Sequence, residues 1–419
     1  MGFYKKFPAC TQLGIILTSL GLSIASCYTP RILEYPKMKD TYSKVISLQE
    51  KKLFEVHTRN GKVFFSNIFD GARLNNVSTI NDTLIEVFIA PENLPINPSP
   101  WYAFKVWSEE STDIYIRFKY PEGFQHRYIP KLKAKSNNWA TIDSTGIIDT
   151  TSTNYTVKLT IHPDTLNIAA QEVISSKKVI EWVLGLQNKY PDKIKIKNYA
   201  STPEKRDLNA INIFKGNLKN KPLIVLLTRQ HPPEITGYYA FQSFVEHILN
   251  SNSDFLNYYS VLAFPNLNPD GVDMGHWRHN SNGVDLNRDW AQYNQKEVEE
   301  TVKYIIKTSE QNHTQPILGL DFHSTTYDVF YTNKEPENVS LPDFLNYWFD
   351  NLENKIPGYQ VNQKKAMSKT PVSKAWFLNY YNAVGITYEI SDTTSIHQIQ
   401  TFGKISSQLM EDYLLKRLN

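Results

Sequence analysis

Apolar and polar residues alternate along much of the stretch from about residue 62 to residue 163. Four segments within it are rich in aromatic and β-branched residues, a composition typical of half-buried β-strands. Turn residues separate these segments at short intervals, and this spacing favours an antiparallel sandwich. The four predicted strands are 83–91, 101–109, 112–120 and 155–163.

The periodicity changes after residue 163. Apolar residues at helical spacing predict a helix over 168–190, which Pro191 ends. Nearly continuous apolar runs then alternate with helical patterns, an arrangement typical of buried, mostly parallel strands with helices on both faces. The predicted strands are 222–229, 259–266, 316–323 and 383–390, and the predicted helices are 237–250, 295–308 and 341–354.

These patterns predict an α/β fold class with an added β domain. A mostly parallel mixed sheet with helices on both faces follows an antiparallel β-sandwich, and 419 residues suit two domains better than one. We expect the sandwich to span residues 28–164 and the α/β domain to span residues 165–419. Residues 1–27 are interpreted separately.

The first 27 residues predict export. Lys5 and Lys6 precede a short apolar stretch that ends in small residues, as in a secretory signal. Residues 24–27, Ile-Ala-Ser-Cys, resemble the lipobox of bacterial lipoproteins, whose cysteine is lipidated. We therefore expect a lipid on Cys27 that anchors an exported protein to a bacterial envelope membrane, on the periplasmic or cell-surface side. The alternative is a plain signal peptide in which Cys27 is incidental.

Composition excludes some other classes of function. Hydrophobic residues make up 41% of the chain and charged residues 21%, which is ordinary for a globular protein. The net charge is only +3, and Lys and Arg are spread along the chain, so no nucleic-acid partner is expected. No pattern indicates a protein partner.

Histidines and carboxylates follow three of the four predicted parallel strands. His231 and Glu234 come after the first strand, Asp321 and His323 end the third, and Glu389 ends the fourth. In open α/β sheets, ligands bind outside the carboxyl ends of the strands. Two histidines and one carboxylate with an open fourth position are typical of a catalytic zinc site. Taken singly, each residue has an ordinary interpretation, such as a loop histidine or a glutamate that favours the helix dipole.

Four short motifs, taken together and in their order along the chain, decide between a zinc site and these ordinary interpretations. "HPPE", "NPDGVDMGHWRHNSNGVDLNRDW", "DFHS" and "TYEIS" together resemble the carboxypeptidase A-like zinc metallocarboxypeptidases over about residues 165–415. The sandwich ahead of them, with "SPWYAFKV", resembles the arrangement in the cytosolic carboxypeptidase branch. The resemblance implies that one zinc ion is bound by His231, Glu234 and His323. It also implies that Asp285 orients a ligand histidine.

The same resemblance implies roles for four more residues. Asn287 and Arg288 would hold the C-terminal carboxylate of a peptide substrate, a task that suits a planar guanidinium. Arg278 would stabilise the oxyanion, and Glu389 would act as general base and general acid. The expected substrate is therefore a peptide with a free C-terminal carboxylate.

The chain departs from the family pattern at two places. Pro233 stands where many members have a substrate-binding arginine before the metal-binding glutamate. The stretch "KKAMSKTPVSKAW", where those members have a tyrosine, contains none, so no catalytic tyrosine is assigned.

Specificity depends on Lys374. Counting back from Glu389, Ser373 to Trp376 overlay the floor of the family's side-chain pocket, and Lys374 would face the substrate's last side chain. A lysine there favours a C-terminal Glu or Asp, because an unpaired buried ammonium is costly. The alternative is a lysine at the rim that is paired with a nearby carboxylate.

The sequence thus predicts a zinc metallocarboxypeptidase that acts on peptides at the bacterial cell envelope. A second interpretation is an amidase or deacylase of the desuccinylase-like type, which would act on a small acyl amino acid. A third is an inactive binding module that keeps the fold. The competent residues at all three ligand positions, at Arg278 and at Glu389 disfavour the third.

Overall fold

The computed structural model describes residues 28–35, 40–134, 138–151, 154–334 and 339–418. The predicted signal segment 1–27, with Cys27, lies outside the described residues. Among the helices that are described, none is both long enough and apolar enough to cross a membrane.

Two sheets form the N-terminal β-rich region. Their strands are β1 (Leu53–Thr58), β2 (Gly61–Ser66), β3 (Asn76–Thr79), β4 (Leu84–Phe88), β5 (Ala103–Ser108), β6 (Thr112–Lys119), β7 (Lys131–Ala134), β8 (Ala140–Thr141), β9 (Ile147–Thr151), β10 (Asn154–Ile161) and β11 (Leu166–Ala169). The strand orders are β1-β2-β5-β11-β7-β8 and β3-β4-β6-β10-β9. Every pair is antiparallel except β4–β6, which is parallel.

The alternation of buried and more exposed residues explains why these strands could be predicted. In β6, Ile114, Ile116 and Phe118 are buried while the residues between them are not. Each of the four predicted strands therefore overlaps an observed one, namely β4, β5, β6 and β10.

The helix predicted over 168–190 begins later than expected. Ile168 and Ala169 belong to β11, which pairs with β5 and β7, so the first sheet continues past residue 164. Helix α1 begins only at Ser176, where the Ser175 side chain accepts a hydrogen bond from the Lys178 N–H. The periodicity of a few buried apolar residues cannot distinguish a strand from a helix. In the structure, Ile168 and Ala169 form part of a strand.

An eight-stranded mixed sheet forms the α/β region. Its strands are β12 (Ile194–Ser201), β13 (Asp207–Ile213), β14 (Leu223–Thr228), β15 (Ser260–Phe264), β16 (Pro316–Thr325), β17 (Val329–Asn333), β18 (Gln363–Ala366) and β19 (Val384–Ser391). The strand order is β12-β13-β15-β14-β16-β19-β17-β18. The central four strands, β15-β14-β16-β19, are mutually parallel, as predicted.

Helices cover both faces of this sheet. They are α1 (Ser176–Lys189), α2 (Ile235–Asn250), α3 (Phe255–Tyr258), α4 (Pro269–Met274), α5 (Lys296–Gln311), α6 (Phe344–Lys355), α7 (Ser373–Tyr381) and α8 (Ile396–Lys416). Strand β14 shows why its apolar run is continuous. Ile224 and Leu226 pack on one face with α2 and α8, whereas Val225 and Leu227 pack on the other with α5 and α7.

The sandwich and the α/β region share buried contacts. Ile235 at the start of α2 and Trp277 after α4 belong to the hydrophobic cluster of the sandwich. Arg127, between β6 and β7, forms an ion pair of 2.7 Å with Asp392 after β19. The sandwich therefore reaches the edge of the large sheet where its parallel strands end.

Candidate active site

The turn between β14 and α2 delivers two side chains to one point. His231 follows the end of β14, and Glu234 is the residue that precedes α2. Glu234 occupies the N-cap position but makes no capping hydrogen bond with its side chain. Its carboxylate instead contacts two imidazoles, with Oε1 2.8 Å from Nδ1 of His231 and Oε2 2.7 Å from Nδ1 of His323. The glutamate thus faces the site rather than the helix backbone.

The third member of this cluster comes from the neighbouring strand. His323 lies near the end of β16, and its Nδ1 is 3.2 Å from Nδ1 of His231. All three side chains are buried, with exposures of 3%, 5% and 1% for His231, Glu234 and His323. One ligand atom from each lies within 4.8 Å of the others. The structure therefore brings together the three predicted metal ligands.

The remaining nitrogen of each histidine is held by a carboxylate. Nε2 of His231 is 2.9 Å from Oδ1 of Asp285, and Nε2 of His323 is 2.7 Å from Oδ2 of Asp321. A carboxylate behind each ligand histidine fixes the ring and makes its other nitrogen the metal-binding one. The sequence predicted this role for Asp285 but not for Asp321. Since side chains two apart on a strand share a face, the Asp-x-His spacing in β16 was the available signal.

These residues fit a zinc ion. Two imidazole nitrogens and one carboxylate are a catalytic zinc ligand set. Two nitrogens about 2.05 Å from one zinc ion, at a tetrahedral angle, would lie about 3.3 Å apart. The two Nδ1 atoms of His231 and His323 are 3.2 Å apart.

Asp285 connects the metal ligands to the expected substrate-binding residues. Besides His231, it accepts a hydrogen bond of 2.7 Å from Nε of Arg278 and one of 2.9 Å from the N–H of Asn287. Burial raises the pKa of Asp285, but Arg278, His231 and Arg288 outweigh that effect and hold it well below its usual range. Asp285 is therefore an ionised anchor for several groups.

Asn287 and Arg288 lie in a short 3-10 helix (Leu286–Arg288) beside the cluster. Nδ2 of Asn287 is 3.4 Å from Nε2 of His323, and its Oδ1 accepts a hydrogen bond of 2.9 Å from the N–H of Ser373. Arg288 donates to the carbonyl of Asn287 at 2.7 Å, and a third of its side chain is exposed. A partly exposed guanidinium that lines the cleft can still bind a carboxylate that enters from solvent.

Glu389 lies directly opposite His323 across the parallel pair β16–β19. Oε2 of Glu389 is buried and has no hydrogen-bond partner among the described residues. Burial raises the pKa of Glu389 to about 7, an effect to which Glu234 adds and which His323, His231 and Arg278 oppose. A carboxylate with such a pKa can both accept and release a proton near neutral pH.

Lys374 lies in the first turn of α7 and is 4% exposed. Its Nζ donates to Oδ1 of Asn333 at 2.9 Å and to the carbonyl of Met367 at 3.3 Å. Burial lowers the pKa of Lys374 to about 8. No carboxylate pairs with this ammonium in the described part of the chain. The structure therefore differs from the alternative in which Lys374 lies at the rim and is paired with a nearby carboxylate.

The predicted ligands, catalytic residues and substrate-binding residues all line one cleft of about 580 Å³. The cleft is built at the carboxyl ends of β14 and β16, which deliver the His231, Glu234 and His323 cluster, and of β19, which delivers Glu389. Its wall also includes residues from the N-terminal β-rich region. The site is thus a water-accessible cleft that contains a metal-ligand cluster, a buried carboxylate and several cationic side chains.

A comparison of the sequence with known families now decides the assignment. The sequence model of the family described as zinc carboxypeptidase matches residues 179–409, more than half of the chain. The chain belongs to the zinc carboxypeptidase family. The match begins within α1, so the sandwich lies outside it.

Curated relatives of the chain include cytosolic carboxypeptidases. Cytosolic carboxypeptidase 6 of Caenorhabditis elegans is 26% identical over 258 residues, which are 55% of this chain and 54% of the relative. Cytosolic carboxypeptidase 3 of Mus musculus is 23% identical over 280 residues, which are 60% of this chain and 28% of the relative. The chain therefore spans about half the length of the worm relative and about a quarter of the mouse one.

Solved structures of bacterial metallo-carboxypeptidases share the fold. The enzyme from Burkholderia cenocepacia is 15% identical and superposes with a TM-score of 0.71, over 84% of this chain and 99% of the other. The enzyme from Pseudomonas aeruginosa, solved in complex with (2-guanidinoethylmercapto)succinic acid, is 16% identical with a TM-score of 0.64, over 85% and 100%. Matches over so much of the chain include part of the N-terminal β-rich region as well as the zinc carboxypeptidase fold.

Several residues that line the cleft were not predicted from the sequence. Asn97, Ser99 and Arg127 come from loops of the sandwich, and Tyr331 comes from β17. Arg127 donates to Ser99 Oγ at 3.1 Å as well as to Asp392. No local pattern in the sequence marks these residues, because only the packing of the sandwich against the sheet brings them to the site.

Proposed function

We propose that this protein is a zinc-dependent metallocarboxypeptidase that removes the C-terminal residue from peptides at the bacterial cell envelope. One observation carries the proposal. The His231, Glu234 and His323 cluster lines the same cleft as Glu389, whose Oε2 has no partner in the described structure, and Arg278. Ligands, a base and an oxyanion-stabilising cation in one cleft are what metal-assisted peptide hydrolysis requires.

Each of these groups has a definite task in the proposed reaction. When bound, zinc would polarise the scissile carbonyl and lower the pKa of a water molecule toward neutrality. Oε2 of Glu389 accepts a proton from that water and later passes it to the leaving amine. The Arg278 guanidinium, held by Asp285, stabilises the negative charge that develops on the carbonyl oxygen.

Recognition of a free C-terminus falls to Asn287 and Arg288. Arg288 presents planar N–H groups at the cleft, and Oδ1 of Asn287 accepts a hydrogen bond of 2.9 Å from the N–H of Ser373, which fixes the amide. An arginine that binds a carboxylate with two parallel hydrogen bonds also fixes the orientation of the substrate. The bond to be cleaved is then placed beside the metal-ligand cluster.

The pocket lysine supports a preference for a C-terminal Glu or Asp. Lys374 is buried and lines the cleft, and its hydrogen-bond partners among the described residues are neutral oxygens of Asn333 and Met367. A substrate carboxylate would pair with this ammonium, whereas an apolar or basic side chain would leave it uncompensated.

The envelope location is supported by sequence alone. Residues 1–27 have the features of a lipoprotein signal ending at Cys27. Membrane fractionation of cells that express the full chain tests this part. The native chain should sediment with membranes, and Cys27→Ser should release it. A Cys27→Ser chain that stays in the membrane fraction would argue against the lipid anchor.

The reaction itself is tested with a peptide library and mass spectrometry. The purified protein with zinc should release single C-terminal residues, a chelator should stop the release, and added zinc should restore it. Glu389→Gln should bind zinc yet hydrolyse nothing, because an amide cannot take up the proton. A zinc-loaded protein that cleaves no peptide, or that cleaves small acyl amino acids far faster, would refute the proposal.

Specificity is tested with peptides that differ only in their last residue. Release of Glu should be faster than release of Leu or Lys, and Lys374→Ala should remove the advantage of Glu. If Leu is released fastest and Lys374→Ala changes nothing, the acidic preference is wrong while the carboxypeptidase activity stands.

A further inference from the structure

A buried carboxylate from the N-terminal β-rich region holds the backbone that carries Arg278. Glu92 follows β4, and its side chain is 0% exposed. Its Oε2 accepts a hydrogen bond of 2.8 Å from the N–H of Trp277. Its Oε1 accepts bonds of 3.0 Å and 2.7 Å from the N–H groups of Arg278 and His279. One side chain thus fixes three consecutive peptide groups.

These bonds are made to an ionised acceptor. Burial raises the pKa of Glu92, but His276, Arg73 and His279 oppose it and bring the pKa below its usual value. Hydrogen bonds to a carboxylate are shorter and stronger than those between neutral groups. Three buried N–H groups would have no acceptor without it, so the backbone of residues 277–279 depends on this carboxylate.

The side chain of Trp277 fixes the same segment a second time. The Trp277 ring is fully buried in the sandwich cluster, with its centroid 5.2 Å from that of Phe124 and 6.1 Å from that of Tyr120. The next side chain, Arg278, reaches instead to Asp285, with Nε 2.7 Å from Oδ2. The guanidinium therefore extends into the cleft from a backbone that the sandwich holds at two points.

We propose that Glu92 is a positioning residue for peptide hydrolysis, which it serves by fixing the backbone of residues 277–279 and hence the guanidinium of Arg278. The inference rests on the proposed function, in which Arg278 stabilises the developing oxyanion. Donors to such a charge act only when they are already in place, and small displacements are costly. Glu92 itself touches no reacting group.

The substitution Glu92→Gln tests this with little change in volume. An amide has one acceptor oxygen, and its NH₂ group would face at least one of the three N–H donors, so the segment must shift. We expect kcat to fall about 10–100-fold, which is less than the about 100–1000-fold typical of a lost oxyanion donor, because the guanidinium is displaced and not removed. KM should change less than about 3-fold, because an interaction made only in the transition state affects kcat. Zinc content should be unchanged.

A double-variant comparison separates positioning from general damage. If Glu92 acts through Arg278, then Glu92→Gln should cause no further loss of kcat when Arg278 is already alanine. Gln49→Ala is the matched control. Gln49 also bonds across the two regions, to the carbonyl of Met274 at 3.2 Å, but it does not touch residues 277–279. Its loss should lower thermal stability and leave kcat as it is.

Two outcomes would overturn the inference. One is a wild-type kcat in Glu92→Gln. The other is that Glu92→Gln lowers kcat by the same factor whether residue 278 is arginine or alanine. If Glu92→Gln does not fold, Glu92→Asp keeps the charge and shortens the side chain by one methylene, and the same comparison with Arg278→Ala applies. A wild-type protein that hydrolyses no peptide refutes the proposed function instead. In that case a crystal structure of the Glu92 variant still decides, because an unmoved Arg278 guanidinium contradicts positioning.

Discussion

Asp321 and Asp285 hold the two ligand histidines in different surroundings. Asp285 is shared with Arg278 and Asn287, whereas Asp321 also accepts hydrogen bonds from Gln230 at 2.6 Å and from the hydroxyl of Ser373. The other partners of Asp321, Gln230 and Ser373, are assigned no role in catalysis or substrate binding, whereas Arg278 and Asn287 are. This difference makes Asp321 the better residue with which to measure the effect of such a carboxylate on metal affinity.

Substitution of Asp321 should weaken zinc binding and leave the fold intact. Asp321→Asn removes the charge behind His323, and loss of such a partner typically costs about 10–100-fold in metal affinity. Competition with a chromophoric chelator measures this directly. Asp328→Asn is the control, because Asp328 bonds to the N–H of Ser391 and not to a ligand histidine. Equal zinc affinity in Asp321→Asn and the native protein would contradict the prediction.

The charge on Lys374 should make specificity depend on pH. Its pKa is lowered by burial to about 8, so the ammonium is present below that pH and is lost above it. The ratio of kcat/KM for a C-terminal Glu peptide to that for a Leu peptide should therefore fall as pH rises through about 8. In Lys374→Ala the ratio should stay flat across this range. A native ratio that is also flat would show that Lys374 does not set specificity.

The residues of the site were predictable to different degrees. His231, Glu234, His323 and Glu389 stand at the ends of apolar runs, where the sequence itself marks the edge of a sheet. Arg127 and Glu92 come from loops of the sandwich, and only packing brings Arg127 to the cleft and Glu92 to the backbone of residues 277–279. No spacing along the chain encodes such contacts, so the sequence could not predict them.

At the scale of elements, the approach of α2 to β16 is unusually close at Gly237. A Cβ atom there would lie 2.3 Å from the carbonyl oxygen of His323, well inside van der Waals contact. The N–H of Gly237 also donates to Ser324 Oγ at 2.8 Å. Glycine thus allows the helix that follows Glu234 to pack against the backbone of His323, another proposed metal ligand.

Gly237→Ala should therefore lower both thermal stability and zinc affinity. The methyl group would force α2 away from β16, and overpacking of this kind typically costs about 1–3 kcal/mol. Calorimetric unfolding with and without zinc measures both effects. Gly185→Ala in α1 is the matched control, because nothing lies within 4 Å of its Cβ position. It should stabilise by up to about 1 kcal/mol through helix propensity. Equal behaviour of the two variants would contradict the role of the close approach.

Elements in the middle of the sheet were predicted better than those at its edges. The central parallel strands are buried on both faces, so their apolar runs are continuous. Strand β12, at the edge, has only Ile194 fully buried, and β18 has no buried residue, so neither has a strong pattern. Strands β13 and β17 were not predicted either, although most of their residues are buried, so the antiparallel pairs β12–β13 and β17–β19 were missed.

At the scale of the whole molecule, the buried carboxylate of Glu411, which does not line the cleft, links stability to pH. Glu411 in α8 is 3% exposed, and its Oε1 has no hydrogen-bond partner among the described residues. Burial raises the pKa of Glu411 to about 7, although hydroxyl groups of Ser253 and Ser251 oppose the increase. The folded protein therefore binds a proton here more tightly than the unfolded chain does.

The native protein should lose stability as pH rises from about 4.5 to about 7. A raised pKa in the folded state favours folding at low pH, and a tenfold difference in proton affinity between the two states corresponds to about 1.4 kcal/mol. Glu411→Gln removes the contribution of Glu411 to this dependence, so its Tm should exceed that of the native protein above pH 7 and approach it near pH 5. Glu389 and Glu297, whose pKa values burial also raises to about 7, keep their contributions in both proteins. Asp350→Asn, which removes an exposed carboxylate from α6, should follow the native curve. Parallel pH curves for Glu411→Gln and the native protein would contradict the assignment.

The bonds between Glu92 and residues 277–279 also limit how this chain can be recombined. A β-sandwich ahead of an α/β region suggests a separate domain that can be exchanged between related proteins. Here a foreign sandwich would have to present a carboxylate to three consecutive amide groups and a hydrophobic slot for Trp277. A segment that is transplanted with the backbone of residues 277–279 held in place must therefore include Glu92. It has to begin in the sandwich, well before His231, the first proposed metal ligand.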